Sequence, residues 1–235
     1  MAGLVGIRAE DMEQVDALQR ARLEFPQGLP FVRPSVRAPV LVKAEEGLDY
    51  KVARFGFSKR FMSFNARSEN LTESRLWKGM FGKHHAVACL SYVVEWIVAD
   101  GVKTPYLIGR ADRKLMWTPA LVGPSLDNKE EFGFAICTRP PNQFFSHFHD
   151  RMVGHLTREL AEVWLSPEGR SVKELLECVR APPEDELAGF KVKGDIAKRK
   201  SGDWSAVETQ GEPVTIADIG GPKTPAKKGP KQAVL

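Results

Sequence analysis

Apolar residues recur every three to four positions over 8–24 (RAEDMEQVDALQRARLE). Met12, Val15, Leu18 and Leu23 mark one face, which predicts an amphipathic helix. Pro26, Gly28 and Pro30 break it. The pattern then shortens to strand length: 40–42 and 50–57 predict two strands separated by the charged turn 43–47. Residues 71–82 (LTESRLWKGMFG) predict a short helix with Thr72 as its candidate N-cap. Two apolar strands follow at 85–97 and 104–108, with a turn at Asp100-Gly101, and further strands at 115–122 and 132–138. Residues 157–165 and 171–179 predict the closing helices, with Thr157 and Ser171 as N-caps and Pro182-Pro183 ending the second. No internal repeat is present. The pattern implies an α+β fold, mostly antiparallel sheet flanked by helices.

Composition narrows the class. A chain of 235 residues with 43% hydrophobic and 27% charged positions supports one sizeable domain, or a domain plus a tail. No apolar run reaches the ~18 residues of a membrane-crossing helix, and the first residues lack a basic stretch, so neither a membrane span nor a signal peptide is expected. Cys89, Cys137 and Cys178 are odd in number and widely spaced, which argues against a disulfide framework or a CxxC metal site and favours a reducing, cytoplasmic setting. The net charge is +4, and Lys223, Lys227, Lys228 and Lys231 account for all of it, so the rest sums to neutral. The expected organisation is a domain over 1–200 and a flexible Pro/Gly/Lys-rich tail over 201–235. Such a tail is either a non-specific polyanion contact or a solubilising end.

Polar residues inside apolar segments supply the candidate chemistry. His147 and His149 sit in an aromatic run, Phe144-Phe145-Ser146-His147-Phe148-His149-Asp150-Arg151-Met152. A histidine there is either an acid/base group or a half-buried structural one. Glu95 interrupts the strand Tyr92-Val93-Val94-Glu95-Trp96-Ile97. Either it points to solvent by alternation, or it is buried with a raised pKa suited to proton transfer. Asn65 and Arg67, at i and i+2 of an extended segment, share a face and offer an amide and a guanidinium. Arg75 adds a cation eight residues on. No GxGxxG, Walker A, HExxH or GxSxG pattern occurs, and no cofactor or metal is implied.

Taken in order, Arg54-Phe55-Gly56-Phe57, Asn65-Ala66-Arg67-Ser68-Glu69, Val94-Glu95-Trp96, 134–138 and His149-Asp150-Arg151-Met152 resemble the SOS-response-associated peptidase (SRAP) family, the abasic-site processing proteins, over roughly residues 1–190. The resemblance implies a barrel-like core and abasic sites in single-stranded DNA as the partner, in a monomer that is cytoplasmic, or nucleoid-associated if bacterial. In the family an N-terminal Cys captures the abasic aldehyde: its α-amine forms a Schiff base and its thiol closes a thiazolidine, leaving a DNA–protein crosslink. By motif match, Glu95 opens the sugar and shuttles protons, His149 is the acid/base partner, and Asn65 holds the N-terminal residue or the sugar. Arg67, Arg75 and Arg151 meet phosphates, Thr138 adds a hydrogen bond, and Phe57 or Phe61 stacks on bases. His147 is supporting or structural.

The departures concern the nucleophile first. Position 2 is Ala, with Gly3 kept; Leu4 stands where relatives carry Arg, Phe55 where Trp is usual, and Val153 where Pro commonly follows. Ala2 has no thiol, so the thiazolidine cannot form, although an α-amine exposed by loss of Met1 can still make a reversible imine. An engineered Cys-to-Ala exchange, a divergent member and a mis-set start all fit. The alternative is a non-catalytic single-stranded or junction DNA-binding module on the same fold; autoproteolysis ranks last, since no propeptide precedes Ala2.

Overall fold

Among the described residues twelve strands carry the fold, built on stretches rich in β-branched and aromatic residues. The structure is a computed structural model that describes residues 3–219 apart from Met62, Gly194, Lys200 and Ser201. The strands are β1 (Val5–Arg8), β2 (Gly28–Val32), β3 (Arg37–Lys43), β4 (Leu48–Phe55), β5 (Asn65–Arg67), β6 (His85–Leu90), β7 (Tyr92–Ala99), β8 (Val102–Arg110), β9 (Met116–Pro124), β10 (Phe132–Arg139), β11 (Met152–Val153) and β12 (Leu187–Lys191). Four short helices accompany them: α1 (Asp16–Ala21), α2 (Gln143–Ser146), α3 (Arg158–Leu165) and α4 (Val172–Cys178). The expected α+β class holds.

One sheet runs β12-β8-β7-β1-β2. The other runs β11-β10-β4-β3-β6-β9, with β5 beside β10 and β9 returning to pair with β10, which closes it into a barrel-like ring. Pairing is antiparallel except where β10 meets β4 and β5. Alternation along each strand sorts side chains into layers. Val93 and Ile108 of the first sheet share one core with Val40, Phe55, Ala120 and Ile136 of the second. On the second sheet's other face, Leu41, Val87, Leu121 and Cys137 pack against Trp164 of α3 and Leu175 of α4. Tyr92, Val94 and Leu107 turn away from the shared core onto Leu4, Val192, Ile196 and Ala206.

Several expectations need correction. The apolar run 85–97 is two strands, because the chain changes sheets at Ser91. The Ser91 hydroxyl donates to Asp11 Oδ2 at 2.5 Å and accepts from the Arg8 N–H at 2.9 Å, while Ser91 N–H bonds Gly6 O. Gly109 permits this crossing, since a Cβ there would lie 2.5 Å from Ser91 O. The helix over 8–24 is a 3-10 turn (Asp11–Gln14) followed by α1, divided at the extended Val15. Residues 71–82 form successive turns instead of a regular helix, closed by bonds such as Lys78 N–H to Ser74 O. Strands β1, β2 and β12 have no counterpart in the expected pattern: each is short, and Gly or Pro interrupts or adjoins its apolar residues. The tail does not begin at 201. Val214 bridges Gly189, Thr209 bridges Val192, and Ala206 and Ile219 are buried, so 202–219 belong to the packed body. Ala2 and residues 220–235, with all four terminal lysines, lie outside the described residues. Thr157 and Ser171 do cap α3 and α4, Ser171 through a capping box with Glu174.

Trp164 joins α3 to the sheet. Its indole N–H donates to Ala86 O at 2.9 Å, and its carbonyl meets His85 Nδ1 at 2.7 Å. Because His85 Nε2 accepts from the Gly82 N–H, the ring is neutral with its proton on Nδ1, and burial holds its pKa down to about 4. Trp164→Ala is expected to lower stability by about 3–5 kcal/mol in urea unfolding, from lost burial and the orphaned carbonyls.

Candidate functional site

Glu95 sits on the same face of β7 as Val93 and Ile97, and that face is the shared core. It is 3% exposed, so the solvent-facing reading is excluded. Burial raises its pKa to about 7, against the positive charge of the amino terminus; Asp150 raises it further and Lys103 lowers it. Gly6 pairs with Tyr92, Val5 with Val93, and Val94 N–H bonds Leu4 O at 2.8 Å. The same register continued brings Gly3, the first described residue, opposite Glu95.

The second sheet contributes the other wall. Ala66 belongs to the helix-side core, so Asn65 and Arg67 face the opposite way, as the i, i+2 spacing requires. They lie beside Ile136 and Thr138 of β10, and Thr138 also pairs with Val153 of β11. Both polar atoms of the Asn65 amide are buried and have no hydrogen-bond partner among the described residues. An unmet buried amide costs about 1–3 kcal/mol, which a hydrogen bond to a polar group would offset.

The aromatic run supplies the third side. Asn142 caps α2 by accepting from Phe145 N–H at 2.9 Å, and Phe144, Phe145 and Phe148 are buried. The Phe148 ring meets Tyr106 edge-on at 5.4 Å, and Tyr106 is the cross-strand partner of Glu95. This fixes residues 149–151 near the Glu95 strand. His149 Nδ1 lies 2.9 Å from the Arg151 N–H and 2.9 Å from Asp150 Oδ1. The neutral ring can accept from the former and the protonated ring can donate to the latter, so each protonation state has a partner.

Arg151 is held in place already. Its guanidinium grips Glu69 with two nitrogens, and Nη2 donates to Thr138 Oγ1 at 3.2 Å. The Arg151 hydrogen bonds hold the Glu69 carboxyl down to about 2. Sequence alone assigns Glu69 no role, because its partner lies 82 residues away. Arg67 and Arg75 are exposed, Arg75 with no hydrogen bond or ion pair to this cluster among the described residues. Of the two candidate stacking rings, Phe61 is 53% exposed. Phe57 is not available: it is fully buried in the helix-side core, edge-on to Trp77 at 5.8 Å. His147 is half-buried against the Phe148 ring. Cys89, Cys137 and Cys178 are all buried, and burial pushes each thiol up, so none offers a thiolate near neutrality. No group of His, Cys, Asp and Glu among the described residues has a metal-binding arrangement.

A family model described as SOS response associated peptidase (SRAP) matches residues 9–199. The chain belongs to the SRAP family. Abasic site processing protein YMR114C of Saccharomyces cerevisiae is 28% identical over 145 residues, which cover 60% of this chain and 39% of that protein. Abasic site processing protein YedK of Escherichia coli is 26% identical over 157 residues, covering 64% of this chain and 71% of that one. The match thus spans well under half of the yeast relative. Among solved structures, a protein from Bacteroides thetaiotaomicron superposes with a TM-score of 0.74 at 19% identity, covering 88% of this chain and 99% of that one. A phage-related protein from Bordetella bronchiseptica gives 0.64 at 21%, covering 81% and 94%. These two likenesses show the fold alone.

Folding binds the Glu95 proton more tightly than the unfolded chain does. Its stabilising contribution is therefore whole below about 4.5 and lost as pH rises through about 7. Glu95→Gln is expected to be more stable than the parent at pH 8, by on the order of 3 kcal/mol, with little difference at pH 4. Urea unfolding of both proteins at the two pH values measures this, and parallel pH profiles would refute the raised pKa.

Proposed function

We propose that this protein recognises abasic sites in single-stranded DNA and engages the ring-opened sugar aldehyde at the cluster of Asn65, Glu95 and His149. Three observations support the reading: the unmet amide of Asn65, a Glu95 carboxyl that titrates near neutrality, and a His149 with a partner in both protonation states, the last two brought near each other by the Tyr106–Phe148 contact. Glu95 gives a proton to the deoxyribose ring oxygen as the ring opens, and His149 completes the proton transfers. Asn65 holds the sugar or the N-terminal residue. Arg67 and Arg75 meet phosphates, Arg151 does so by exchanging Glu69 for a phosphate, Thr138 adds a hydrogen bond, and Phe61 stacks on a base.

The covalent step depends on the residue at position 2. With Met1 removed, the α-amine of Ala2 attacks the aldehyde carbon and water leaves, forming a C=N bond. In relatives with Cys at this position, the thiol adds to that carbon and closes the ring. Ala2 stops at the reversible imine.

Ala2→Cys, with loss of Met1 verified by mass spectrometry, is expected to give a heat-stable crosslink to an abasic single strand on a denaturing gel. This chain should give none unless borohydride reduces the imine, and acetylating the N-terminus should abolish that trapping. Absence of a crosslink from the thiol variant would end the covalent reading. The missing thiol favours a second reading, a non-catalytic DNA-binding module; equal affinity for abasic and intact strands, without borohydride trapping, would support it.

A further inference from the structure

Arg54 is the most deeply buried guanidinium of the ion-paired arginines, and the cluster above does not use it. Its side chain is 5% exposed. Nη2 donates to Ser125 Oγ at 2.6 Å and reaches Asp127 at 3.4 Å. Nε and Nη1 have no hydrogen-bond partner among the described residues. The nearest acid to Nε, Glu131, lies at 3.9 Å, beyond hydrogen-bond reach, and is more than half exposed. Asp127 is committed elsewhere, accepting from Ser58 Oγ at 2.9 Å and from Lys59 N–H at 2.6 Å.

Arg54 is among the residues that line a cavity of about 570 Å³, with Ser35, Arg37, Lys59, Asn128 and Glu131. Arg37 is the cross-strand partner of Arg54, and both Arg37 and Lys59 are exposed. A buried cation with unmet N–H groups is costly, and a planar donor fork flanked by two cations suits a phosphate oxygen pair. The exposed acids Glu130 and Glu131 share the rim, and Glu131 competes for Nε.

We propose that Arg54, Arg37 and Lys59 form an anion subsite that takes a backbone phosphodiester of a bound DNA strand. The assignment rests on the DNA reading above. Lys59 lies on the loop that carries the exposed Phe61 and ends at Asn65. Arg54 and Asn65 both lie beside β10, at Gly133 and Ile136, but on opposite faces of the sheet, since Ala53 and Phe55 belong to the shared core and Ala66 to the helix-side core. The subsite is therefore placed by the Lys59–Phe61 loop and not by a straight path from Asn65.

The test measures affinity for an intact thymidine oligonucleotide and its abasic counterpart between about 50 and 200 mM salt. Because Arg54 also anchors Ser125 and Asp127, the variants are Arg37→Ala with Lys59→Ala, and Glu131→Gln. The double variant is expected to bind both strands more weakly, with a salt slope shallower by about 0.7 for each phosphate it no longer neutralises. Glu131→Gln should bind both more tightly, and Lys173→Ala, an exposed cation on α4, should leave the slope unchanged. A double variant with the parent's affinity and slope overturns the subsite. Equal parental affinity for the two strands counts against abasic-site recognition while leaving the slope result standing, and binding to neither strand overturns both.

Discussion

At Ser91 the chain leaves one sheet and enters the other, and the placement of the candidate cluster depends on that crossing. Asp11, itself buried, takes hydrogen bonds from the Ser91 hydroxyl and from Arg8. A charge-assisted bond of this kind, away from water, is stronger than a neutral one and is costly to leave unmade. It ties the entry of β7 to the turn after β1 and sets the register of both. In that register Val93 and Glu95 face inward, and the chain's first described residues run alongside Glu95. A crossing one residue earlier or later would turn Glu95 to the other face of its sheet.

The buried carboxyl gains its chemistry from the same geometry. Between two sheets the charged form of Glu95 loses most of its hydration, so the proton stays to near neutrality. A group titrating there can give and take a proton at little cost, as a general acid or base must. His149 has a donor, the Arg151 N–H, for its neutral ring and an acceptor, Asp150, for its protonated one. The candidate site thus combines Glu95 and His149 with an amide, Asn65, whose hydrogen bonds are left open among the described residues.

The cations divide by what already holds them. Arg151 is neutralised by Glu69 and braced on Thr138, which fixes its orientation. Arg54 is braced by Ser125 and Asp127 on one edge of its guanidinium and open on the other. Arg67 is exposed on the edge strand β5. Phosphate recognition by such a set needs no base contact, which suits the proposed target, a site with a missing base.

Most strands, the two capped helices and the candidate residues Asn65, Glu95 and His149 are legible in the sequence, because alternation, capping residues and a misplaced carboxylate are local signals. The amide and guanidinium of Asn65 and Arg67 also share a face for a local reason, their spacing. The break at Ser91, the burial of Phe57, the grip of Glu69 on Arg151 and the packing of 202–219 are not legible there. Each depends on partners distant along the chain, and nothing in a local window states which strand will lie alongside which. The sequence by itself determined which residues can do chemistry and that residue 2 is an alanine, which has no thiol. Only the tertiary structure decided that Glu95 faces inward, because its direction is set by the register of β7 with β1 and β8, and register is a property of the assembled sheets.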